Sequence, residues 1–408
     1  MNYVILFGIA LFFIVLSVQN GRSEFIFNDG EMNVRVSTDA YALRINADGD
    51  VDLAPDASGV TALSSRGSLD VRLRQQNRDR RALFTSNDGS IRKQFFVEDD
   101  EQLWGPDAEL FVSEVMPLVL RETALNANER VAWLLQNRGQ AGLLDEIDLI
   151  SSDFAQRVYT IHYAETSDIA DNDFQRLMKT VADNMSSDFD VRTTLSAVYD
   201  ARLPTGESLS ALLDAGETMS SDFDVRTLLE HVGARMPDTA DAGTAYLDLA
   251  ATISSDFDMR LALQPLVTRA TVADEAVARA LELAGSELSS DFDLRTLLAE
   301  AAPRVGASDE LARAYTAAAG SISSDFDQRE ALTALANDAS LSPASWRMLL
   351  QAAQSISSDF DAATLLTTVA AQMPQNDAVV EAYREALDTI NNEFDRVRAA
   401  GALENAHR

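Results

Sequence analysis

One short phrase, Ser-Ser-Asp-Phe-Asp or a close variant, recurs along the C-terminal two thirds of the chain and constrains its fold more than any other feature. Copies begin at Ser151, Ser186, Ser220, Ser254, Ser289, Ser323 and Ser357, and a degenerate eighth, Asn391-Asn392-Glu393-Phe394, closes the series. Successive starts are 34 or 35 residues apart. A constant period of roughly 20–50 residues marks a chain built from one supersecondary unit stacked on its own copies, because each unit alone cannot bury its apolar face.

The residues around the phrase predict two helices per unit. Counting back from the first Ser, positions −8, −5, −4 and −1 are apolar or small, as in Leu281, Ala284, Gly285 and Leu288, or Tyr315, Ala318, Ala319 and Ile322. Those offsets lie on one face of an α-helix. The small residues would let a partner helix approach closely. A second helical stripe follows the phrase, as in Val225, Leu228, Leu229 and Val232. Breakers punctuate the units at Met236-Pro237, Ser342-Pro343 and Met373-Pro374, and Ser-Pro supplies a cap and a first-turn proline for the next helix. The expected fold is mainly α: an α-solenoid of HEAT- or TPR-like helical hairpins over residues 139–408.

The phrase itself reads as helix punctuation. In Ser187-Asp188-Phe189-Asp190 the Ser is an N-cap, Asp190 falls at the N3 position of a capping box, and both acids sit where the helix dipole favours negative charge. Arg192 follows Asp188 at the i, i+4 spacing of a helical ion pair. The same trio recurs as Asp222, Phe223 and Arg226; Asp256, Phe257 and Arg260; Asp291, Phe292 and Arg295; and Asp325, Phe326 and Arg329. The seventh copy has Ala363 in the Arg position, and the eighth has Val397 between Arg396 and Arg398. The recurring Phe is expected to plug the seam between units, in which case Phe223→Ala would cost roughly 3–5 kcal/mol. Rows of Asp-x-Asp also suit Ca²⁺, although no copy has the Gly turn and distal Glu of an EF-hand loop.

The N-terminal third has a different character. Tyr3–Val18 is sixteen residues without a charge, a length between a membrane-spanning helix and a signal-peptide core. Residues 1–23 are therefore expected to be a hydrophobic helix serving as a membrane anchor or signal peptide. Residues 24–104 alternate polar and apolar around Asn28-Asp29-Gly30, Ala47-Asp48-Gly49 and Asn87-Asp88-Gly89, which predicts a small antiparallel β unit with tight turns. Residues 105–138 read as connecting helices, with Pro117 expected to kink or split the first.

The net charge is −32, which opposes binding to nucleic acid phosphates. Residues 64–96 run against it, with eight bases and three acids. Arg72, Arg74, Arg78, Arg80 and Arg81 in this segment are candidates for contact with anionic lipid headgroups or an acidic polymer. Cysteine is absent, so disulfides and thiolate chemistry are excluded. His162, His231 and His407 belong to no zinc-binding motif, and no catalytic or phosphate-binding signature occurs. No cofactor is expected.

The Ser-Ser-Asp-Phe-Asp-x-Arg copies, with Asn128-Glu129-Arg130-Val131-Ala132-Trp133-Leu134-Leu135 leading to Leu144-Asp145-Glu146-Ile147, resemble bacterial envelope proteins of no assigned activity. Those proteins carry Ser-Ser-Asp-Phe or Ser-Asp-Tyr repeats behind a small β region. Similar repeats also follow metallopeptidase-like membrane domains of antirepressor type, but this chain lacks their His-Glu-x-x-His, so no protease role carries over. The strand starts Gly49-Asp50-Val51 and Gly67-Ser68-Leu69 resemble adhesin-type β repeats. The resemblance implies an architecture and an envelope location outside the cytoplasm. The functional expectation is a non-enzymatic, envelope-tethered scaffold binding another protein of basic character along its acidic surface. The alternatives are a calcium-dependent structural or adhesion protein, and an unrecognised enzyme or regulator of a membrane signalling protein.

Overall fold

The computed structural model describes residues 14–17, 23–28, 31–87, 90–337 and 340–406. They form two compact units that divide between Arg202 and Leu203, inside the repeats.

The first unit opens with an eight-stranded antiparallel sheet in the order β1 (Ile14–Ser17), β2 (Ser23–Asn28), β3 (Glu31–Ser37), β4 (Tyr41–Asp48), β7 (Ser68–Gln75), β8 (Arg78–Asn87), β9 (Ser90–Val97) and β10 (Asp100–Gln102). A separate two-stranded ribbon, β5 (Val51–Leu53) and β6 (Val60–Leu63), interrupts the meander. The expected N-terminal hydrophobic helix is corrected here. Ile14–Ser17, the described part of the apolar run, is a strand paired with β2. The rest of that run lies outside the described residues. Among the described residues no helix is long and apolar enough to cross a membrane.

Alternation sorts the sheet into a core face and an open face. Val34, Ile45, Val71, Ala82 and Phe95 are register partners across five strands, and all are buried. Pairing runs out to Asn28–Glu31 and Asn87–Ser90, and the expected Asp29-Gly30 and Asp88-Gly89 turns lie outside the described residues. The third expected turn, Asp48-Gly49, closes no hairpin: it leads from β4 into the β5–β6 ribbon, with Gly49 at φ 71°. Two further hairpins turn on Gln76-Asn77 and Glu98-Asp99, with φ of 49°, 66°, 51° and 69°. Two consecutive positive φ values match the right-handed twist of the flanking strands, and no glycine marks these turns.

Helix α1 (Pro106–Thr123) covers the core face with Phe111, Val115, Met116 and Val119. The Phe95 and Phe111 ring centroids are 5.6 Å apart. Pro117 lies inside α1 without dividing it. Helix α2 (Ala127–Asp148) breaks at Gly139, whose φ of 67° and ψ of −175° no helix accommodates. The unit ends with α3 (Asp153–Thr166), α4 (Asp171–Asn184) and α5 (Asp188–Arg202).

The second unit is a helical repeat array. Its helices are α6 (Gly206–Gly216), α7 (Asp222–Gly233), α8 (Ala240–Ala250), α9 (Asp256–Thr268), α10 (Asp274–Glu287), α11 (Asp291–Val305), α12 (Asp309–Gly320), α13 (Asp325–Ala336), α14 (Pro343–Ala353), α15 (Asp359–Gln372), α16 (Asp377–Leu387) and α17 (Glu393–Ala406). Each helix packs on the one two places along, so even-numbered and odd-numbered helices form two layers. Every odd-numbered helix begins at the phrase. Ser342 caps α14 by accepting a hydrogen bond from the Ser345 N–H, with Pro343 following it.

Large aromatics from the even layer lock the two layers together. Buried Tyr246 donates its hydroxyl to Leu229 O and Ala262 O, and buried Tyr383 donates to Leu366 O and Ala399 O. Small residues set the spacing within the layer: a Cβ placed on Gly285 would lie 2.9 Å from Ala318 Cα in α12. That is closer than real side chains sit, so α10 and α12 meet at this distance only with glycine there.

Candidate functional site

The phrase builds a ladder between copies rather than a set of independent caps. In the second to seventh copies the second Ser accepts a hydrogen bond from the N–H of the second Asp, at 3.2–3.3 Å. This is N-capping as expected. The first Asp reaches forward instead. Asp291 accepts hydrogen bonds from the Ser323 N–H, the Ser323 hydroxyl and the Ser324 N–H at 3.0, 2.8 and 2.9 Å. Asp153 does the same for Ser186 and Ser187 and Asp222 for Ser254 and Ser255, while Asp359 accepts the backbone N–H groups of Asn391 and Asn392.

The expected i, i+4 pairs Asp222–Arg226, Asp256–Arg260, Asp291–Arg295 and Asp325–Arg329 do not form. Each first Asp is occupied by the next copy's loop, and each Arg extends to the second Asp of the following copy. The ion pairs are Arg157–Asp190 at 2.7 Å, Arg226–Asp258 at 2.7 Å, Arg260–Asp293 at 2.9 Å, Arg295–Asp327 at 3.0 Å and Arg329–Asp361 at 3.4 Å. The capping box is likewise completed between copies. The N-cap N–H that an acid of the same helix would have served, as at Ser187, is served by Asp153 of the preceding copy at 2.8 Å.

Burial of Asp291 opposes its ionisation, but the hydrogen bonds from Ser323 and Ser324 outweigh this and hold its carboxyl below the usual range. A carboxylate with a lowered folded pKa adds stability above its unfolded value, and this is lost as pH falls through about 4 towards the folded value. Asp291→Ala is expected to cost about 1 kcal/mol by removing hydrogen bonds to three donors of the next copy that water can reach, with Asp291→Asn costing less. Urea unfolding at neutral pH measures both. Equal losses would deny the carboxylate its bridging role.

The Phe row is a second correction. Phe189, Phe223, Phe257, Phe292, Phe326 and Phe360 are 51–59% exposed and do not plug the seam. The seam is filled by the helical stripes and the tyrosines, which leaves the Phe side chain at the helix start facing solvent. The Arg of each copy lies over its own ring, 4.8–5.3 Å from the centroid for Arg192, Arg226, Arg260, Arg295 and Arg329. Where the seventh copy has Ala363, Arg398 of α17 reaches back to Phe360 at 5.1 Å and donates to Thr364 Oγ1 at 3.2 Å. The odd offset of Arg398 was the only sequence hint of this replacement.

A second residue escaped the sequence reading at the other end of the ladder. Glu122 of α1 accepts the Ser151 hydroxyl at 2.8 Å, the place that Asp153 takes for the next copy. Burial pushes its carboxyl above the usual range, and the Ser151 hydrogen bonds only partly counter this. Asp214 in α6 and Glu217 just after it are also raised, by burial and then by neighbouring carboxylates, among them Asp248 of α8. Among the described residues no group of three or more histidines and carboxylates is arranged to hold a metal ion.

The five candidate arginines of the sheet do not form one patch. Arg72, Arg74 and Arg81 share the open face, where Arg35, Arg44, Arg72 and Arg81 are successive register partners. Arg72 makes a forked pair with Asp79 at 2.7 and 2.9 Å and touches Asp99 at 3.0 Å, and Arg81 makes a forked pair with Asp70 at 2.7 Å. Arg80 turns to the opposite face, to Glu114 at 2.7 Å and the Phe111 ring at 5.0 Å. Arg74 and Arg78 are exposed. Arg72, Arg80 and Arg81 are thus each held by a carboxylate.

No family model matches the chain, and no curated protein matches it. Among solved structures, a chain from a computational design of self-assembling cyclic homooligomers is similar at 16% identity, over 72% of this chain and 96% of that one, with a TM-score of 0.12. A score that low carries no argument about fold or function.

Proposed function

We propose that the protein is a non-enzymatic scaffold that binds another, basic, protein along its helical array. The observation that carries this reading is the charge of the array. Residues 203–408 hold 33 acids against 14 bases, all arginine, a net of −19. Several of those arginines are already committed to ladder aspartates. Asp214, Glu217 and Asp248 add a carboxylate cluster with no ion pair among the described residues. Stacked helical hairpins present extended surfaces of the kind repeat proteins use for binding. The location we propose is the cell envelope, on the strength of the apolar Tyr3–Val18 run and the resemblance of the repeats.

The reading predicts salt-sensitive binding. Protein captured from an envelope extract on the immobilised full-length chain should be enriched in basic proteins and should elute as ionic strength rises to about 0.5 M, where exposed charges are screened within a few ångströms. Retention at that salt would rule out the acidic surface as the contact.

A further inference from the structure

We propose that the motif edge of the C-terminal unit is a track for an extended basic segment carrying a cationic side chain at every third residue. Each cation would sit on the open face of one of Phe223, Phe257, Phe292, Phe326 or Phe360, beside the acidic helix start of the same copy. The proposal rests on the reading that the partner is basic, and adds where it binds and in what conformation.

The rings are the first ground. Each is more than half exposed in a position where the core is already filled by other residues. One face carries a guanidinium at about 5 Å, supplied by the same copy for four rings and by Arg398 for Phe360. An aromatic face attracts a cation through its quadrupole, and the chain already uses that attraction on one side of every ring.

Charge is the second ground. Across these five copies the phrase supplies ten aspartates, while the Arg position supplies four arginines. The edge thus keeps a negative excess after its own ladder pairs are made. A cation placed on a ring would find both the π face and uncompensated carboxylate potential.

Spacing selects the conformation. The phrase-bearing helices pack side by side from α7 to α15, and packed helices lie about 8–10 Å apart. A polyproline II segment has three residues per turn and rises about 3.1 Å per residue, so one face repeats every ~9 Å. A β-strand repeats a face every ~6.7 Å and falls out of step within two copies. A helix repeats a face at about 5–6 Å and meets only alternate rings.

The test uses the full-length protein and two labelled peptides of equal composition, one of Arg-Pro-Pro repeats and one with the same arginines irregularly spaced. Fluorescence anisotropy at about 0.15 M salt should show the regular peptide binding tighter. Phe257→Ala/Phe292→Ala/Phe326→Ala should weaken it about tenfold or more, since three cation–π contacts are lost, and should leave the irregular peptide unchanged. Phe→Leu at the same positions keeps the apolar volume without the π face, and serves should the alanine variant lose helical signal.

Equal affinity for both peptides, or indifference to the Phe variants, overturns the track while salt-sensitive binding leaves the basic-partner reading standing. No binding of either peptide overturns the track as well. A concentration-dependent dimer abolished by the Phe variants would assign the row to self-association instead, and would also overturn the proposal.

Discussion

Arg130→Met is expected to lower the stability of the N-terminal unit by about 3 kcal/mol, at the low end of the range for breaking a buried ion pair. Arg130 and Glu146 are both almost fully buried and meet at 2.9 Å, and Arg130 also donates to Pro55 O at 2.6 Å. Burial pushes the Glu146 carboxyl up, but Arg121 and Arg130 more than offset this and hold it below the usual range. Without Arg130 the carboxylate keeps only Arg121, at 3.0 Å, and the carbonyl of the ribbon loop loses its donor. Denaturant unfolding followed through Trp104 and Trp133 emission reads the loss. Arg130→Met/Glu146→Leu should recover part of it, because the uncompensated charge is then gone. A negligible effect of the single variant would mean that water reaches this pair.

Trp346→Ala is expected to cost about 3–5 kcal/mol. The indole is 2% exposed in α14, so its removal opens a cavity between the two helical layers. Phe326→Ala, in the adjoining helix α13, removes an aromatic ring that is 51% exposed, and should cost less than about 1 kcal/mol, the scale of one exposed cation–π contact. Chemical denaturation by far-ultraviolet circular dichroism compares the two directly. Similar costs would mean that the Phe row is a packing element after all. The contrast also separates the two roles of aromatic residues in the array: Trp and Tyr hold the layers together, and Phe faces outward.

The helical array was legible because its period is long, regular and tied to strong local signals. Ser at the cap, acids in the first turn and apolar residues at helical spacing act within one helix, where sequence distance and spatial distance nearly coincide. The sheet was legible in outline from alternation. Its Gln76-Asn77 and Glu98-Asp99 turns were not, since neither pair carries the glycine that flags a positive φ. Residues 14–17 misled for a related reason. An apolar run suits a buried strand as well as a membrane helix, and only the pairing with β2 decides.

The partners of the motif were the least legible part. Asp291 and Arg295 stand four apart, so a single helix offers them to each other, yet Asp291 bonds to Ser323 and Ser324, and Arg295 to Asp327. Both choices depend on how closely successive hairpins stack, a quantity no one copy contains. The exposure of Phe292 follows from the same stacking, because the seam it was expected to fill is closed by Leu, Ala and Tyr from the two layers.

By itself, then, the sequence determined the repeat, the helix starts and the acidic balance, all of which are local or additive properties of the chain. The tertiary structure alone decided which side chains bridge one Ser-Ser-Asp-Phe-Asp copy to the next and which remain at the surface. Those depend on distances between residues some 33 positions apart, and such distances are set only when the hairpins pack.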